Sequence, residues 1–136
     1  MSDGPILNET GTQRMIGYRL DVGQGDGCAR CVLDLDDRHL NRQGMLHGGL
    51  SAVLLDSAMG AAGSLTVDAS GRHPFTTLSL TMNYLAPGRP GRITATGRVT
   101  GGGRSTLFIE GQLRHEDGTL IATATGVFRK SPKGPA

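Results

Sequence analysis

Two hydrophobic rhythms run through this chain. From Phe75 onward, apolar and polar residues alternate. "FTTLSLTMNYL" (75–85) puts Leu78, Leu80, Met82 and Tyr84 on one face. "RITATGRVT" (92–100) sets Ile93, Ala95, Gly97 and Val99 against Arg92, Thr94, Thr96 and Arg98. "RSTLFIEGQLRH" (104–115) sets Leu107, Ile109, Gly111 and Leu113 against Phe108, Glu110, Gln112 and Arg114. "TLIATATGVFRK" (119–130) sets Leu120, Ala122, Ala124 and Phe128 against Thr and Ile. Period two, punctuated by the turns "APGRPG", "GGG" and "EDG", predicts an antiparallel meander of four strands. Two earlier strands are expected over 15–22 ("MIGYRLDV") and 28–36 ("CARCVLDLD"). The run from Gly48 to about Thr66 breaks this rhythm. It is apolar, rich in Ala, Gly and Ser, and stopped by "DASGRHP", so it reads as one helix. The expected architecture is α+β: one long central helix wrapped by a curved antiparallel β-sheet. A single domain over 15–130 would follow a loose segment 1–14, with room for a short helix. A flexible tail would close the chain over 131–136.

The length, 136 residues, suits one domain. Aromatics are 4% with no Trp, so the core must be aliphatic. A net charge of +2 comes without a Lys/Arg block, which speaks against a nucleic-acid partner. Twelve arginines against two lysines admit phosphate recognition or simple codon bias. The opening "MSDGPILNET" carries acids where a secretory leader would be basic, so a cytoplasmic protein is expected. The run Gly48–Val67 approaches a membrane span in length. Its central Asp56 and its many Gly, Ser and Thr argue for a buried helix and no membrane partner. Cys28 and Cys31 stand three apart on a strand and so face opposite ways. They are expected to be reduced packing residues, and no metal site or cofactor is foreseen.

Asp56 is the one charge in that apolar run. An unpaired buried carboxylate is costly, so a carboxylate among Leu54, Leu55, Ala58 and Met59 points to chemistry, with general base as the natural role. His47-Gly48-Gly49 opens the helix, where free N–H groups favour negative charge. Either an ordinary turn or an oxyanion site centred on the Gly48 N–H would use these residues. Eight residues of helix span ~12 Å. Asp56 therefore cannot serve a group held at its own Gly48. If both act in one reaction, they come from two subunits, and a homodimer with shared active sites is expected. Asn41 and Gly44 read by themselves as turn residues. "GGGRS" reads as a hairpin turn in which Arg104 can still meet a phosphate.

The spacing N-x-x-G-x-x-H-G-G, Asn41 to Gly49, with Asp56 in the following helix, resembles the hot-dog-fold thioesterases of the PaaI type. "TMNYLAPGRPG", "GGRSTLFIEGQL" and "GTLIATATGVF" extend the likeness over roughly residues 10–130. The resemblance implies hydrolysis of acyl-CoA substrates by a dimer or a dimer of dimers. It implies that the Gly48 N–H polarises the thioester carbonyl, while Asn41 and His47 shape that site. It further implies that Asp56 of the other subunit activates water with help from Thr77. Tyr84 and Arg104 fall where relatives touch coenzyme A. Strict alternation, however, puts Thr77 on the face opposite Leu78 and Leu80. Two other readings use the same residues. A hydroxyacyl-thioester dehydratase would employ His47 and Asp56 as acid and base, though H-G-G fits a thioesterase better. An acyl-CoA sensor would not need Asp56.

Overall fold

The computed structural model describes residues 4–132. Its elements run α1 (Gly11–Ile16), β1 (Arg19–Asp21), β2 (Ala29–Asp34), a single 3-10 turn (Asp37–His39), α2 (Gly48–Leu65), β3 (Phe75–Tyr84), β4 (Arg92–Gly102), β5 (Thr106–His115) and β6 (Leu120–Lys130). All six strands form one antiparallel sheet in the order β1-β2-β4-β5-β6-β3. Helix α2 packs on β2, β4, β5, β3 and β6, which is the helix-in-sheet architecture the sequence pattern predicts.

Two glycines let the helix lie close. A Cβ on Gly97 would sit 2.6 Å from the Ala58 carbonyl oxygen, and one on Gly111 would sit 2.9 Å from Leu55 and Met59. Gly97 and Gly111 face each other across β4 and β5, and Gly111 faces Ala124 on β6. This lane of small residues receives the middle of α2. Around it close Leu33, Leu54, Leu55, Met59, Ile93, Ile109, Leu113 and Phe128, all essentially without solvent contact. The core is aliphatic apart from one buried phenylalanine, Phe128, and one buried tyrosine, Tyr18, in keeping with the composition.

Three expectations need correction. The chain's start is packed, not loose. Ile6 is buried and bridges Leu20, and the buried Gln13 side-chain amide donates to the Ile6 and Tyr18 carbonyls. The strand expected over 15–22 shrinks to Arg19–Asp21. A helix capped by Thr10 runs to Ile16, and Gly17 ends it with a left-handed φ of 94°. On β6 the register shifts at Ile121. Ile121 takes the buried place, and Leu120 pairs with outward-facing Arg114. Of the expected tail, residues 133–136 lie outside the described residues.

Cys31 is buried and Cys28 half-buried, both unpaired, and burial pushes the Cys31 thiol upward. Among the described residues, no three His, Cys, Asp or Glu side chains gather where they could hold a metal. No helix there is long and apolar enough to cross a membrane.

Candidate active site

The loop before α2 is closed by its own hydrogen bonds. Asn41 Oδ1 accepts from the N–H groups of Gln43 (2.9 Å) and Met45 (3.2 Å), and the Asn41 N–H donates to the Met45 carbonyl. Gly44 supplies the left-handed φ of 73° that the turn needs. Asn41 thus acts through turn chemistry, with its side-chain NH2 unengaged among the described residues. The loop is then tied down twice. Leu46 N–H donates to Gly88, and His47 N–H donates to the carbonyl of His39, whose imidazole is buried between the Asp36 N–H and the Ile16 carbonyl.

A helix start leaves four N–H groups without partners inside the helix. Here the His47 N–H goes to the His39 carbonyl, Gly49 donates to His47 Nδ1 at 2.9 Å, and Leu50 donates to the His47 carbonyl, which also takes the first regular helical bond, from Ser51. The fourth donor, the Gly48 N–H, has no acceptor among the described residues. Three donors are consumed locally, and the one the sequence singles out stays open.

Eight residues along α2, half-buried Asp56 accepts a 2.6 Å hydrogen bond from Thr77 Oγ1 on β3. The alternation rule places Thr77 on the wrong face, and the structure shows why the rule fails there. Thr77 pairs with Phe128 and Ser79 with Val127, so Leu78 is an extra residue in the strand. This β-bulge re-aims the side chains before it. Phe75 and Thr77 then share the helix-facing side with Leu80, Met82 and Tyr84, while Leu78 lies 46% exposed.

At the other end of β3, the Tyr84 hydroxyl donates to the Gly48 carbonyl at 2.8 Å. The family resemblance sets Tyr84 where relatives touch coenzyme A, and nothing in the spacing announces this contact. Arg104 sits apart, exposed in the β4–β5 turn, with no ion pair among the described residues. It borders an open cleft of about 500 Å³ with Thr66, Val67, Val99 and Lys130. That cleft lies at the C-terminal end of α2, about ten residues or ~15 Å beyond Asp56. One chain therefore brings Thr77 to Asp56 and Tyr84 to Gly48, but it brings neither pair to the other.

The family model described as the thioesterase superfamily matches residues 43–122, from the glycine-rich loop into β6. The chain belongs to the thioesterase superfamily. This thioesterase is 36% identical over 104 residues to a Pseudomonas aeruginosa esterase, PA1618, spanning 76% of this chain and 70% of that one. It is 29% identical over 112 residues to human acyl-coenzyme A thioesterase 13, spanning 81% and 78%. Its fold matches the PaaI protein from the phenylacetic acid degradation operon of Escherichia coli, with a TM-score of 0.80 at 20% identity over 93% and 88% of the two chains. It also matches a Bacillus halodurans protein solved with CoA, with a TM-score of 0.81 at 24% identity over 91% and 80%. The thioesterase is thus a thioester hydrolase of the PaaI-type hot-dog fold.

Proposed function

We propose that this thioesterase hydrolyses acyl-CoA thioesters in the cytoplasm, at sites shared between the two chains of a homodimer. The carrying observation is the pairing of Thr77 with Asp56 while the Gly48 N–H stays open a ~12 Å helix stretch away. Asp56 takes a proton from water as the water oxygen attacks the thioester carbonyl carbon. The negative charge on the carbonyl oxygen is met by the Gly48 N–H of the other chain. Collapse of that intermediate breaks the C–S bond and releases the acid and CoA, whose thiolate regains the proton. Thr77 holds the carboxylate by a hydrogen bond and leaves its second oxygen for the water. His47 caps the helix, and Asn41 fixes the loop that carries the donor. Arg104 meets the CoA phosphates, and the half-exposed Tyr84 ring lies along the CoA path. Relatives named as acyl-CoA thioesterases support this substrate class.

The edge of the sheet supports the dimer. Among the described residues β3 pairs on one side only, and its ten residues, "FTTLSLTMNY", hold no charge and no proline. Natural edge strands are usually shielded by such residues. A second copy pairing along β3 would cover this edge and bring the two α2 helices together, and two such dimers could then associate.

The deciding assay is a panel of acyl-CoA esters with a reagent for free thiol. Release of one thiol per acid supports hydrolysis. An enoyl product without thiol would indicate the dehydratase reading, and binding without product the sensor reading. Within that assay, Arg104→Ala is expected to raise KM for CoA esters roughly tenfold with kcat nearly unchanged. A remote phosphate contact is made about equally in ground and transition states. A short pantetheine thioester, lacking those phosphates, should not respond to the change. An unaltered KM for CoA esters would remove Arg104 from the site.

A further inference from the structure

We infer that Tyr84 is a positioning residue, which aims the Gly48 N–H by gripping the peptide on the far side of the same residue. This rests on the oxyanion role proposed above for Gly48. Two observations meet here. The first is the hydrogen bond: the hydroxyl of Tyr84, a residue 56% exposed with water within reach, donates instead to the Gly48 carbonyl at 2.8 Å. The second concerns why position 48 holds glycine at all. Gly48 is not among the residues of positive φ, so its backbone does not demand glycine. What crowds a side chain there is the Tyr84 ring, whose Cε1 lies 3.3 Å from where a Cβ would stand, so the ring must give way by a few tenths of an ångström.

Gly49 follows the same logic with a different ring. A Cβ there would come within 3.1 Å of the His47 imidazole, and the Gly49 N–H donates to that imidazole. The two glycines of H-G-G thus make room for two rings. His47 holds the N–H of the peptide joining residues 48 and 49, and Tyr84 holds its carbonyl. With that peptide fixed at both poles, the adjoining Gly48 N–H has little freedom to swing. A donor held in place before the reaction is worth more than one that must be ordered during it. Tyr84 projects from the strand that also presents Thr77, so β3 steadies the oxyanion donor of one site and the base of the other.

The test uses two substrates, an acyl-CoA ester and a short pantetheine thioester of the same acyl group, with the full-length chain. Tyr84→Phe keeps the ring and removes the hydroxyl. The expected result is a fall in kcat of about tenfold on both substrates with KM steady, short of the ~10²–10³ for outright loss of an oxyanion donor. Gly48→Ala keeps the N–H but pushes a methyl group against the Tyr84 ring, disturbing the same contact from the other side. It should cost a similar factor, and the double variant should be no worse than the worse single, since contacting residues are not additive. Unchanged kcat in Tyr84→Phe, a loss confined to KM for the CoA ester, or two effects that multiply would each overturn the positioning role. Gly48→Pro separates this from the reading beneath it. If Gly48→Pro is as active as Gly48→Ala, the oxyanion assignment falls, and Tyr84's role with it. If Gly48→Pro is dead while Tyr84→Phe keeps full turnover, only the inference about Tyr84 fails.

Discussion

Asp56→Asn is expected to lower kcat by about a hundredfold or more, the scale set by loss of a general base. The substitution is close to isosteric. The amide oxygen of Asn can still accept the hydrogen bond from Thr77 Oγ1, now 2.6 Å from the carboxylate, so the link between α2 and β3 survives. What disappears is the capacity to take a proton from water. KM should change little, and the thermal midpoint should stay within a few degrees of the parent, because a half-buried charge is exchanged for a neutral group in an unchanged contact. Turnover is read by thiol release and integrity by thermal unfolding. A variant that folds and turns over at near the parent rate would strip Asp56 of its role.

A mixture of two dead variants is expected to come back to life. One carries Asp56→Asn. The other carries Asn41→Ala with Gly48→Pro, which deletes the open N–H. The backbone here suits proline, and its Cβ presses on the Tyr84 ring no more than that of alanine does. Gly48 is the first residue of α2, where proline is common, and His47 already has φ −63° and ψ 131°, the extended conformation preferred before proline. The two proteins are unfolded and refolded together in equal amounts, so that half of the dimers are mixed. In each mixed dimer, one site gathers both lesions and the other gathers none, so activity should return to about a quarter of the parent for isologous pairing. Refolding of each variant alone supplies the baseline. If subunits exchange and the mixture stays inactive, Asp56 acts within its own chain or not at all.

The sequence was legible where one physical rule governed a stretch of chain. Period two holds from Ile93 to Val99 of β4 and through β5, where Ile93, Ala95, Leu107, Ile109 and Leu113 are buried as expected. Asp56 stood out because no polar stripe surrounds it. The helix start was legible from His47-Gly48-Gly49, since unsatisfied donors follow from helix geometry alone. The failures occur where an extra residue breaks a rule that counts residues. Leu78 and Ile121 each shift a register, and no pattern of apolar and polar residues announces a bulge. Thr77 was therefore assigned to the wrong face by alternation, although the family resemblance placed it at the site. The contact of Tyr84 with Gly48 is not foreseeable, because it joins residues 36 apart in the chain, which spacing cannot reveal. The last residues of the short helix, Met15 and Ile16, read as strand because "MIGYRL" is apolar enough for either, and Gly17 decides it only through its torsion.

The bulge at Leu78 also bears on how such a gene can change length. Losing one codon from the middle of a strand ordinarily turns half its side chains inside out. Here the same loss would remove the surplus residue. Ser79 would follow Thr77 in even alternation, Phe75 and Thr77 would still face α2, and an exposed leucine would be gone. A descendant one residue shorter at this point would keep every group of the site in place. When such a chain is compared with this one, the gap belongs inside β3, and shifting it to the neighbouring loop would pair Thr77 with the wrong residue.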